Sequence, residues 1–302
     1  MSWVVIALLG AAVAGMINIL DKTLLFRYLR SPLTLPLLIG VAQGSIGIIL
    51  VLALTWPETT TASSIGWGFF SGGLWGLSAW FFLRVLYSQE VSRSVPVYQT
   101  FPIFAALLAV FFLDEDLSAF HWIAILATVA GAVLISLRLD QGYRGLFLHR
   151  SFFILMLGSA IAAAAHVTGK VALDDLPVLH THALRSLGLS GVLLLGALRP
   201  APLREVRELV RQRSPAFAIL GMNEVVLASS SMILTLWALS LGPVSLVTTL
   251  VATRSFFVLL YSTALALRFS GFLGEQTSTR ALTVKIVSTS LIVAGVAAIA
   301  LK

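Results

Sequence analysis

The chain has 302 residues, of which 58% are hydrophobic and only 11% charged, with a mean hydropathy of +0.98. That balance excludes a soluble globular or nucleic-acid-binding domain, and the formal net charge of +7 reads as topology, because the basic residues fall mainly at the ends of apolar runs. The absence of cysteine excludes disulfides, thiolate metal sites and cysteine nucleophiles.

A membrane-spanning helix needs about 20 mostly apolar residues. That criterion predicts spans near 3–20, 33–55, 64–86, 95–113, 119–138, 151–169, 179–198, 216–240, 243–269 and 281–301. The first of these contains an Ala12-Val13-Ala14 cleavage pattern, but no lysine or arginine precedes it, so it reads as a span and not as a signal peptide. Proline, glycine or charge marks most boundaries, as at Pro32, Pro57, Pro177, Pro215 and Gly242-Pro243. No polar block is long enough for a separate domain, and residues 1–302 form one membrane domain.

The two halves resemble each other. NILDKTLLFRYLRSP at 18–32 parallels HVTGKVALDDLP at 166–177, which makes Lys22 and Lys170 mates, and Asn18 and His166 likewise. VSRSVPVYQTFPIFAALLAV at 91–110 parallels VSLVTTLVATRSFFVLLYST at 244–263, and GAVLIS at 131–136 parallels GVAAIA at 295–300. The expected fold is all-α, with ten transmembrane helices as two five-helix repeats, 1–145 and 146–302. Five is odd, so the second copy enters from the opposite face, and such inverted halves carry a site near the midplane between them.

Of the 20 lysines and arginines, sixteen flank the loops after odd-numbered spans and three lie on the other side. This puts the odd loops in the cytoplasm and both termini outside; a bacterial inner membrane is the expected location. In PLREVRELVRQRSP at 202–215, Leu203, Val206, Leu209 and Val210 form an apolar stripe while Arg204, Arg207, Arg211 and Arg213 point elsewhere, the pattern of a short helix lying on anionic lipid.

Arg254 interrupts the apolar run SLVTTLVATRSFFVLLY about 14 Å from the cytoplasmic edge, and Glu224, beside Asn223, lies at about 12 Å. A charge at that depth is costly unless compensated. Two explanations stand: an ion pair between Arg254 and Glu224, or a wet cavity in which Arg254 binds an anionic group while Glu224 holds it or competes for it. Tyr98, Gln99 and Thr100, across the repeat axis from Val251, Ala252 and Thr253, are candidate cavity residues, as is Trp75. Trp80 and Trp237 fit packing or interface roles better. Pro102 kinks span 4, which is tolerated beside a cavity. Asn18 and His166 are expected near opposite ends of the cavity; they and Glu224 are candidates for gating or proton coupling.

Gly40 and Gly44, and Gly68, Gly72 and Gly76, recur at four-residue spacing and let helices approach closely. Asp114-Glu115-Asp116, near His121, lacks a metal-ligand frame and reads as a solvated cap on the next helix. No P-loop or zinc-protease motif occurs, and no cofactor is expected.

Ten spans, inverted five-helix repeats and an acid-bearing turn before the last span of each half, LDED and LGEQ, resemble the drug/metabolite transporter superfamily, in particular its EamA-like members, across almost the whole chain. The resemblance implies a non-enzymatic transporter working by alternating access, with spans 3, 4, 8 and 9 near a central cavity. Basic residues of span 9 contact phosphate in the plastid phosphate-translocator branch, and Arg254 occupies a comparable place, but no second basic residue lies beside it or within span 4. The function expected is secondary transport of a small organic solute, with an anionic group favoured by Arg254, in a monomer or homodimer whose other partners are membrane lipids. A flippase for a phosphate-bearing lipid or lipid-linked sugar is the alternative. An intramembrane serine protease, from Gly188-Leu189-Ser190-Gly191 and His166, is the remote one, with the histidine on the wrong side of the serine in sequence.

Overall fold

The computed structural model describes residues 2–89, 91–136, 150–268 and 279–300, and all regular structure in them is helical. Eight helices or helix pairs among these residues are long and apolar enough to cross a membrane, as the composition requires of an integral membrane protein. Tight turns connect most of them, since every backbone polar group at membrane depth must be satisfied within the protein.

Helix α1 (Trp3–Arg27) runs past residue 20, where the hydropathy pattern ends. Its polar continuation is tolerated because each group finds a partner: Lys22 Nζ donates to the carbonyls of Leu86 at 2.9 Å and Gln89 at 2.7 Å, and Thr23 Oγ1 donates to Ile19 O at 2.8 Å. This carries Asp21 into the protein interior, where it is buried.

Helices α2 (Thr34–Ala53) and α3 (Ala62–Leu86) follow. A capping box between Thr61 and Ser64 starts α3. The predicted small-residue face of α3 meets α8 (Val178–Ala197) so closely that a Cβ on Gly72 would fall 2.2 Å from Arg185 O. Helix α7 (Arg150–Leu173) packs along the other side of α3.

The fourth predicted span is not one kinked helix. It is α4 (Val91–Tyr98) and α5 (Phe101–Phe112), broken at Gln99-Thr100, two positions before Pro102, which then occupies the first turn of α5 where its missing N–H costs nothing. The ninth is broken as well, into α12 (Val244–Ala252) and α13 (Arg254–Arg268). The eighth comprises α10 (Ala216–Leu220), a π-helical stretch Gly221–Ala228 and α11 (Ser229–Leu241). Helix α6 (Ala119–Ser136) packs on α14 (Thr279–Ala300), and α9 (Pro200–Arg211) is the short helix expected from the arginine-rich connection.

The acidic turn after α5 does not cap the following helix. Glu115 instead accepts from Val244 N at 2.8 Å and Ser245 N at 3.3 Å, and from the Ser245 hydroxyl, so it caps α12, an element about 130 residues further on. Of the other acid-bearing turn, LGEQ lies outside the described residues, as does the side chain of His121.

Candidate functional site

A cavity of about 130 Å³ lies between α1, α2, α3, α4, α7, α8, the π-helical stretch, α11, the end of α12 and the start of α13. Its polar lining includes Asn18, Asp21, Gln43, Trp75, Tyr98, His166, Arg185, Glu224 and Arg254, with Ser231 and Thr235 from α11; Ile17, Phe82, Leu189, Met232 and Val251 supply apolar wall. On the scale of about 10–15 Å³ for one water-sized probe, that is room for several waters or a small solute.

The charges on its walls are of both signs. On one side the Asn223 amide donates to Asp21 Oδ1 at 2.7 Å and to Glu224 Oε1 at 3.1 Å, while Gln43 Nε2 donates to Glu224 Oε2 at 3.3 Å and to its backbone carbonyl at 3.1 Å. Ser186 Oγ holds Gln43 by donating to its Oε1 at 3.2 Å. The π-helical stretch widens the turn that presents Glu224, and Ser229 Oγ donates to the Glu224 carbonyl at 3.2 Å. Such stretches recur at functional sites because they re-aim side chains at a cost in backbone regularity.

On the other side Arg185 is buried, at 3% exposure, with Nε and Nη1 lacking hydrogen-bond partners, and its guanidinium lies over the Trp75 ring, 5.7 Å from the centroid. Arg254 is part-exposed, but its Nε is sealed and unpartnered too. His166 is wedged between Trp75 in an edge contact and Phe101 in a stack, both at 5.1 Å between centroids, and neither ring nitrogen has a partner. Tyr98 completes this wall. The single proton of Ser78 Oγ goes to Gly158 O at 2.6 Å, so the Tyr98 hydroxyl donates to Ser78, also at 2.6 Å.

Of the residues singled out in the sequence, Arg254, Glu224, Tyr98, Trp75, Asn18 and His166 line this cavity. Gln99, Thr100 and Asn223 do not. Gln99 Nε2 donates to Val251 O at 3.2 Å and ties the break in one helix to the end of α12. Thr100 shares a hydrogen bond with Ser159 at 3.0 Å, and Asn223 stands behind the two carboxylates it bridges.

The expected Arg254–Glu224 pair does not form: the hydrogen-bond partners of the Glu224 carboxylate are Asn223 and Gln43. Equal depth in the membrane does not by itself bring two side chains together. Asp21, Gln43 and Arg185 are lining residues that the sequence reading passed over. Asp21 lies just past the first predicted span, Gln43 within the second and Arg185 within the seventh; only the packing shows all three inside. The remote protease reading fails on geometry, because Ser190 Oγ donates to Gly40 O at 2.7 Å and makes no hydrogen bond to His166. Trp80 packs against Gly196, and Trp237 is exposed.

The fold and site define a helical integral membrane protein with an internal, charge-lined cavity. Residues 1–137 match the EamA-like transporter family. Members of that family are membrane transporters. No curated protein sequence matches the chain. A solved crystal structure, described only as that of a protein, aligns over 98% of this chain and 94% of its own with a TM-score of 0.62 and 17% identity, a likeness of fold.

Proposed function

We propose that the protein is a secondary transporter that moves a small dipolar organic solute by alternating access, holding its anionic group between Arg254 and Arg185 and its cationic group against Asp21 and Glu224. The observation that carries this is the presence of both signs of charge in one cavity. Two guanidiniums with unpartnered nitrogens and two carboxylates face one space without pairing with each other. Buried charges left unpaired by the protein are costly, and a solute bearing both signs satisfies both walls at once. Arg254 opens α13, so the positive end of that helix adds to its attraction for an anion.

Alternating access rests on two inverted five-helix halves, 1–145 and 146–302, and the packing supports them. Exchanging α1 with α7, α3 with α11 and α5 with α13 turns the α3–α7 contact into α11–α1, and α5–α7 into α13–α1, all of which occur. The mates Lys22 and Lys170 make the same bond, each from its half's first helix to the end of its half's third: Lys22 Nζ to Leu86 O at 2.9 Å, Lys170 Nζ to Leu239 O at 2.8 Å. The mates Phe101 and Arg254 each begin the second segment of a broken helix. Asn18 and His166, also mates, both line the cavity and are the proposed gating residues.

The test is uptake into liposomes of a matched series with one carbon skeleton, bearing an ammonium and a carboxylate, the carboxylate alone, or the ammonium alone. Wild type is compared with Arg254→Gln and Asp21→Asn at equal folded yield. The dipolar compound should be moved best, with Arg254→Gln abolishing the contribution of its carboxylate and Asp21→Asn that of its ammonium. Transport that survives Arg254→Gln with only a lowered melting temperature would make Arg254 a structural charge and refute the proposal.

A further inference from the structure

Helix α9 and the turn that follows it carry a cluster of arginines. Arg204, Arg207, Arg211 and the following Arg213 are all exposed, and no ion pair neutralises them among the described residues. Among the described residues their one side-chain hydrogen bond is Arg204 Nε to its own helix at Pro200 O, 3.3 Å, while Glu208 is taken by Gln212 at 2.9 Å. Leu203 and Val210 are 47% and 58% exposed beside the arginines, whereas Pro202 and Leu209 are buried against the protein. At 100° per residue, Leu203 and Val210 share one edge with Arg207 and Arg211 next to them, while Leu209 and Glu205 point to the opposite side.

That inward side makes a specific attachment. Glu205 Oε1 accepts from Arg30 N at 2.5 Å, and its Oε2 accepts from Ser31 N at 3.1 Å and from Thr34 Oγ1 at 2.5 Å. One carboxylate thus clamps the whole turn between α1 and α2. Those two helices carry Asp21 and Gln43 into the cavity.

We propose that α9 binds anionic phospholipid headgroups through Arg204, Arg207 and Arg211, with Leu203 and Val210 dipping into the interface, and that Glu205 transmits this seating to the α1–α2 turn. A membrane surface fits this arrangement: flanking helices of spanning length place α9 at the level of the headgroups, and an uncompensated arginine edge beside two exposed aliphatic residues complements an anionic interface. The inference is independent of the solute.

The test is amide hydrogen exchange of the full-length protein in nanodiscs of phosphatidylcholine alone and of phosphatidylcholine with phosphatidylglycerol. In the anionic discs exchange should slow severalfold over 200–211 and over the turn at 28–34. Arg204→Gln/Arg207→Gln/Arg211→Gln should remove the lipid dependence in both segments, and Glu205→Gln should keep it in α9 while losing it in the turn. Equal exchange of wild type in the two lipids, or a lipid response that persists in the triple variant, overturns lipid binding. A turn that responds as before in Glu205→Gln overturns the transmission.

Discussion

Asn223 donates to Asp21 Oδ1 at 2.7 Å across 202 positions of sequence, and its amide also reaches Glu224 Oε1 at 3.1 Å. It is the shared donor that lets two buried carboxylates face one cavity. Asn223→Leu should therefore cost about 1–3 kcal/mol, the penalty of stranding buried acceptors. Adding Asp21→Asn should recover part of that loss, since one charge disappears and a new amide is offered to Glu224. Thermal unfolding in detergent reads both, and a double variant no more stable than Asn223→Leu alone would show that the bridge carries no energy.

Gly169 sits directly behind the Arg185 guanidinium, where an added Cβ would lie 2.6 Å from Nη1 and 3.0 Å from Ser71 Oγ. Both are side-chain atoms, and the guanidinium is the end of a flexible chain. Gly169→Ala should therefore displace Arg185 and not the helices. The expected outcome is a raised KM for the carboxylate-bearing solute, with the melting temperature changed by little. Arg185→Lys, which keeps the charge but loses the planar fork, should raise KM in the same direction. A large fall in melting temperature with unchanged KM for Gly169→Ala would show that the glycine serves helix packing alone.

Gln99 offers a contrast with Asn223. Its Nε2 holds Val251 O at 3.2 Å, but its Oε1 is buried without a partner. Gln99→Leu takes a donor from Val251 O but also removes the stranded Oε1, so a cost and a gain oppose each other. The change in stability should stay within about 1 kcal/mol. The same thermal unfolding assay should therefore rank Gln99→Leu well above Asn223→Leu.

The apolar runs revealed the helices because lipid makes a spanning helix nearly independent of its neighbours, so length and hydropathy suffice. Arg254 and Glu224 were legible as cavity residues for the same reason: charge inside such a run demands an explanation. Asp21, at the end of a run, demanded none until α1 was seen to continue to Arg27. Arg185 was masked by its place near the start of a span, where a charge is ordinarily solvated. The breaks before Phe101 and Arg254 were invisible to hydropathy, which measures burial and not backbone continuity. The partners of Glu115 and Glu205 lie about 130 and 175 positions away, and no local pattern encodes them.

Lys22 ties α1 to the end of α3 and Lys170 ties α7 to the end of α11, equivalent contacts under the proposed inverted repeat. In an inverted pair these contacts fall on opposite sides of the membrane. Lys22→Met and Lys170→Met keep the aliphatic stem and remove the donor, so each should loosen one side only and bias the cavity to open there. The chain has no cysteine, so a single Cys at Ala228, which lines the cavity, reports access cleanly. Modification by a membrane-impermeant thiol reagent should rise from one face in Lys22→Met and from the other in Lys170→Met. Equal changes from the same face in both variants would rule out opposed gates and, with them, the inverted arrangement on which alternating access rests.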